Sequence, residues 1–163
     1  MATGRVSGVL LLWVGRRAPG PFEALADEFG ARLGRHLPFA AVRVRPASGR
    51  RGDPKRALAE EAAAVRNHLA PGDTVVALDE AGRERSTEEL AAWLGARRRG
   101  GRTVFVIGSD LGLDSGLKAD AHELLALSRL TLPHALARVV LLEQLYRACD
   151  LLAGGQYHRA TLG

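Results

Sequence analysis

Two unbroken apolar pentapeptides, residues 74–78 (TVVAL) and 103–107 (TVFVI), restrict the fold more than any other feature of this chain. A strand with one face in water alternates apolar and polar side chains. A short continuous run of apolar, β-branched residues is instead what a strand covered on both faces requires. Comparable runs at residues 5–14, 39–45 and 124–127 predict three more strands. Between them, helical spacing of apolar residues predicts helices over 21–37, 54–69, 86–99 and 114–123, with a last long helix over 133–152. Alternating strands and helices imply an α/β fold: a parallel or mostly parallel sheet with helices on both faces. Local signals agree. Ser86 and Glu89 form a capping box, and Asp53 precedes a proline at a first helical position. At 163 residues the chain suits one domain, 1–163, better than two.

Several function classes are excluded or disfavoured. No apolar run is long enough to span a bilayer, and the apolar start, residues 6–14, reads as a first strand rather than a signal segment, since no Ala-x-Ala site follows it. The single cysteine, Cys149, lies within a helical pattern; it forbids an internal disulfide, fits a reducing cytoplasm and reads as a small core residue. Asp110 and Asp114 lack the remainder of any metal-binding pattern, so no metal is expected.

Charge is unevenly placed. Residues 43–56 carry Arg43, Arg45, Arg50, Arg51, Lys55 and Arg56 against Asp53 alone, the same excess of five positive charges as the whole chain. Arg97, Arg98, Arg99 and Arg102 form a second cluster. Guanidinium clusters suit phosphate backbones, although arginine is the prevailing cation throughout this chain and a solvated loop is the competing reading.

In open α/β sheets ligands sit beyond the carboxyl ends of strands, so the segments directly after the strands are the candidate site. These are Asp79 to Gly82, Gly108 to Gly112, and Ser128 to His134. None is a G-x-G-x-x-G fingerprint or a Walker loop. Thr131 stands where it would cap the last helix, with Pro133 in its first turn. His134 and Arg138 share a face of that helix, and Glu143 and Arg147 form an i,i+4 pair. The helix is otherwise apolar almost all round, which predicts cover from its own sheet and from a partner subunit.

With these residues in view, the segments FVIGSDLGL, LSRLTLPHALARVVLLEQLYRA and GGQYHR resemble the RlmH family, the 23S rRNA pseudouridine N3-methyltransferases of the SPOUT superfamily. The three motifs occur in the family's order and spacing over residues 103–159, and the remainder is collinear. The resemblance implies the SPOUT, or α/β-knot, fold with a C-terminal trefoil knot, a topology that pattern reasoning would not propose because knotted chains are rare. It implies a homodimer and S-adenosyl-L-methionine as methyl donor, with no metal. By position it places the donor at Leu78, Gly108, Leu127, Ser128, Arg129, Leu130, Thr131 and Leu132, the same strand-end segments selected above.

The resemblance further implies that Tyr157, His158 and Arg159 serve the transfer site, with His134 and Arg138 in support. The N3 proton of the target must leave; His158 is the candidate base, and Arg159 or Arg138 a group to offset the imide anion. Arg43, Arg45, Arg50, Arg51, Lys55 and Arg56 are then expected to grip 23S rRNA in the ribosome. Two departures stand out. Ser109 replaces a usual glycine, which would strain the chain if φ is positive there, and residues 160–163 extend past the usual end. They are the only support for the alternative, a catalytically silent RNA- or ribosome-binding dimer of the same fold.

Overall fold

A computed structural model describes residues 7–17, 19–49, 51–97 and 100–159. Arg50, Arg98, Arg99, the tail 160–163 and the start of the predicted first strand lie outside the described residues. The elements follow one another as β1 (Val9–Val14), α1 (Pro21–Leu33), β2 (Phe39–Val44), α2 (Pro54–Arg66), β3 (Thr74–Glu84), α3 (Thr87–Ala96), β4 (Thr103–Ile107), α4 (Ser115–Asp120), β5 (Glu123–Ala126) and α5 (His134–Leu152). The five strands form one sheet of order β2-β1-β4-β3-β5, and every pairing is parallel.

The apolar strands are covered on both sides, as their composition requires. Every residue of β1 and β4 is buried. Val9, Leu11 and Trp13 pack with Phe105 and Ile107 against α1, α3 and α5, while Leu10, Leu12 and Val14 pack with Val104 and Val106 against α2 and α4. Ser86 and Glu89 make both capping-box bonds on α3, and Asp53 and Asp114 each accept a first-turn N–H. Among the described residues no helix is long and apolar enough to cross a membrane.

Three expectations need correction. Residues 79–84, read as a loop after a short strand, continue β3. Leu125 of β5 is in register with both Leu78 and Arg83, so residues 79–82 bulge out of the ladder. At the return the backbones touch: a Cβ on Gly82 would lie 2.6 Å from the carbonyl of Leu124. Second, Thr131 does not cap α5, whose N-cap is Pro133 with no side-chain bond; its hydroxyl instead donates to Glu80 of the bulge at 2.6 Å. Third, the cover that α5 receives within the chain comes from more than the sheet, since the helix also lies between α1 and α3. Phe22 and Leu25, one turn apart on α1, stay exposed.

Candidate functional site

The chain leaves β1 toward α1 on one face of the sheet and leaves β4 toward α4 on the other, so a crevice opens at the carboxyl ends of these neighbouring strands. Beyond the tips of β4, β3 and β5 it widens into a cavity of about 960 Å³, within the range of small-molecule sites. Its walls come from the three segments selected on topological grounds: the β3 bulge, the turn after β4, and the connection from β5 to α5.

Each wall has a local cause. The bulge carries Asp79, whose Oδ1 accepts the N–H of Ala81 at 2.8 Å and whose Oδ2 accepts from Lys118 Nζ on α4 at 3.0 Å. The Ala81 N–H and the Lys118 ammonium hold this carboxyl below the usual carboxylate range, against burial, which acts the other way. The turn after β4 closes when Gly112 donates to the Ser109 carbonyl. It is Gly112, at φ 83°, that takes the left-handed conformation. Ser109 does not, so the strain expected of it is absent. Its buried hydroxyl donates instead to Glu61 of α2 at 2.9 Å and accepts from the N–H of Leu111 at 3.3 Å.

In the third wall, Ser128 Oγ accepts the N–H of Leu130, and the Thr131 hydroxyl ties the loop to Glu80. The backbone N–H groups of Thr131 and Leu132 meet no partner among the described residues. Of the expected donor-binding residues, Leu78, Gly108, Leu127, Ser128, Leu130, Thr131 and Leu132 line this one cavity; Arg129 is exposed beside it. His134 lines it too.

The other expected site residues lie elsewhere. Arg138 is only 6% exposed: its guanidinium stacks 4.0 Å over the ring of Trp13 and pairs with Glu23 of α1, so it faces the interior rather than the cavity. The tail turns back at Gly154 and runs along α5. There Tyr157 packs on Tyr146 at 4.7 Å and its hydroxyl donates to Glu143 at 3.2 Å, beneath the Arg147 guanidinium. Burial and the Glu143 carboxylate push the Tyr157 phenol above its ordinary range. His158 Nε2 lies 2.8 Å from Glu88 in the first turn of α3. Because α3 begins where β3 ends, this contact is at the same edge of the sheet as the cavity, yet Tyr157, His158 and Arg159 do not line it. The pair Glu143–Arg147 thus holds the tail rather than decorating a surface.

Of the basic residues, Arg43 and Arg45 sit at the end of β2 and line a second depression together with Arg16 and Arg17, which sequence reasoning missed. Arg51, Lys55 and Arg56 are exposed around the start of α2.

A family model described as "Predicted SPOUT methyltransferase" matches residues 8–158. The chain is 44% identical over 151 residues to "Ribosomal RNA large subunit methyltransferase H" of Thiobacillus denitrificans, covering 91% of this chain and 97% of that one. It is 45% identical over 150 residues to the protein of the same name from Solidesulfovibrio magneticus, covering 91% and 96%. Among solved structures, a probable methyltransferase from Bordetella pertussis Tohama I superposes with a TM-score of 0.54 at 16% identity over 88% of this chain and 96% of that one. A probable methylase family protein from Haemophilus influenzae gives 0.53 at 14% identity over 94% and 70%. At these identities the two structures speak for the fold.

Proposed function

The chain belongs to the SPOUT methyltransferase family, and on that premise we propose that it methylates N3 of a pseudouridine in 23S ribosomal RNA. It does so on the ribosome, as a homodimer of single-domain subunits in the cytoplasm, with S-adenosyl-L-methionine as donor. The observation that carries this reading is identity above 40% along nearly the full length of relatives named as large-subunit rRNA methyltransferases.

The residues of the cavity fit the donor. Leu78, Ile107, Leu125, Leu127 and Leu132 offer apolar walls to an adenosyl group, and the unpaired N–H groups of Thr131 and Leu132 are available to its polar edge. Asp79, Glu80 and Asp110 line the same cavity, and their negative charge complements a cationic ligand. When bound, the donor supplies a methyl carbon already activated by a sulfonium, so the protein's part is mainly alignment and exclusion of water. The target N3 must also give up its proton. His134 is at the cavity and is the imidazole base that lines it within one subunit.

The homodimer gives the tail its role. Tyr157, His158 and Arg159 share the sheet edge with the cavity without reaching it, so a two-fold partner docked at that edge brings one subunit's tail to the other's cavity. The exposed Phe22 and Leu25 offer apolar contact for such a partner. The family's trefoil knot belongs to the same reading, with the chain around Gly82 lying against the backbone of Leu124 and Leu125 as one of its crossings. The alternative of a silent binding dimer loses its argument from Ser109, which is satisfied rather than strained.

The test is transfer of labelled methyl from the donor to intact 70S ribosomes and to free 23S rRNA, followed by mapping of the product. Label at N3 of one pseudouridine of the ribosomal substrate is expected. Donor binding without transfer to either substrate would leave only the silent dimer.

A further inference from the structure

The carboxyl end of the sheet carries a second depression beside the donor cavity, of about 630 Å³, at the tips of β1 and β2. Four arginines line it: Arg16 and Arg17 directly after β1, Arg43 in β2 and Arg45 just beyond it. Arg43 is fixed by donating to the Gly15 carbonyl at 3.2 Å, and Arg17 is 3.5 Å from Glu23. No described residue pairs with Arg16 or Arg45. Four guanidiniums thus converge on a concavity whose own residues include no acid.

The depression and the cavity adjoin at two points. Gly15, which accepts the Arg43 bond, lies against His134 of the cavity wall, for a Cβ at position 15 would stand 3.4 Å from His134 Nε2. Glu61 joins them from beneath: its Oε1 accepts the N–H of Ala47 in the arginine depression at 3.1 Å, and its Oε2 accepts from Ser109 of the donor turn.

We propose that this depression receives a backbone phosphate of the RNA strand next to the target nucleotide, with Gly15 and His134 as the wall that the strand crosses to bring its base to the methyl donor. The proposal rests on the rRNA methyltransferase reading. Planar, permanently charged arginine is the side chain suited to phosphate, and phosphate contacts fix the position of a strand without reading its sequence. Position is what the transfer needs: a strand with its phosphate anchored on one side of His134, and its base carried across to the methyl carbon on the other, is held for in-line attack.

The test compares wild type with the double variant R16Q/R45Q, whose side chains are exposed and have no partner among the described residues. Binding to 70S ribosomes is measured between about 50 and 200 mM salt, and donor affinity is measured by calorimetry. The variant is expected to keep donor affinity and to lose about 0.7 from the slope of log affinity against log salt, the contribution of one phosphate on a single strand. R16K/R45K is expected to recover most of the slope, and R35Q, at the opposite, amino end of the sheet, to change it little. A wild-type slope in R16Q/R45Q, with wild type binding and methylating normally, overturns the phosphate site and leaves the methyltransferase intact. An equal loss in R35Q overturns it in favour of general surface charge. Failure of wild type to bind or methylate ribosomes overturns both readings.

Discussion

The hydroxyl of Ser109 donates to Oε2 of Glu61 at 2.9 Å, and both residues are buried. A helix on one face of the sheet is thereby tied to the turn that closes the cavity proposed for the donor. A buried hydrogen bond to a charged group contributes about 1.5–3 kcal/mol. Ser109→Ala removes the donor without creating a clash, so the variant is expected to melt about 5 °C lower. Donor affinity should fall with it, because the turn loses its anchor. An unchanged melting temperature would show that the bond contributes nothing.

Gly82 marks a tight passage of β3 against β5. A Cβ there would meet the Leu124 carbonyl carbon and oxygen at 2.6 Å and the Leu125 nitrogen at 2.8 Å, all backbone atoms that no rotamer change can move. Gly82→Ala must therefore part β3 from β5, at a cost above the usual ~1–3 kcal/mol of overfilling a core. At Gly100 the nearest atom would stand 3.7 Å away, and Gly100→Ala is expected to be close to neutral. Urea midpoints of the two variants check the contrast; similar midpoints would refute the rigidity of this backbone contact.

Much of this was readable from the chain. Apolar runs such as residues 103–107 need cover on both faces, so they imply a sheet between helix layers, and the strand-end rule alone points to the three walls of the cavity. Local chemistry was equally legible at Ser86, Glu89 and Asp53. What failed was tertiary. Asp79 to Gly82 has the composition of a turn, and only pairing of Arg83 and Glu84 with β5 makes it a strand with a bulge. Thr131 looks like a cap, but its hydroxyl finds Glu80, distant in sequence. Arg16 and Arg17 were passed over because their partners in the depression come from β2, and spacing along the chain carries no trace of that.

Asp79 supplies a test in acid. Its carboxyl is held below the ordinary value of about 3.9 by the Ala81 N–H and then by Lys118, against burial. A depressed folded-state value means that the group stabilises the fold above its unfolded value, and that this is lost as the pH falls through the folded one. The stability difference between wild type and Asp79→Asn is therefore expected to be constant above about pH 5 and to shrink below about pH 4. Denaturant titrations of both proteins give it directly, other groups cancelling in the difference. A difference that grew in acid would reverse the assignment.

Arg138 is predicted to serve the fold rather than the chemistry. Its guanidinium is enclosed by Trp13 and Glu23, and its Nε is buried without a partner. Removing one member of a buried pair costs about 3 kcal/mol or more, and lysine restores the charge without the planar stack. Arg138→Ala should lower the unfolding free energy by roughly that amount and Arg138→Lys by less. Methyl transfer per folded molecule should be unchanged in both. A loss of kcat in fully folded Arg138→Lys would return the residue to the transfer site.

The tail makes the sharpest demand on the proposed homodimer. Tyr157 and His158 are already held by Glu143 and Glu88, so the tail presents a formed surface rather than a loose end, and docking it costs little ordering. If it completes the partner's cavity, the two lesions Leu132→Trp, which fills the donor cavity, and His158→Ala, which disables the tail, can complement each other. In a mixed dimer one of the two composite sites receives both lesions and the other receives neither. Random mixing of equal amounts makes half the dimers mixed, so recovery of about a quarter of wild-type methyl transfer is expected from two inactive parents. Activity no greater than the sum of the parents would mean that each tail serves its own subunit or none, and the role proposed for Tyr157, His158 and Arg159 across the interface would fall.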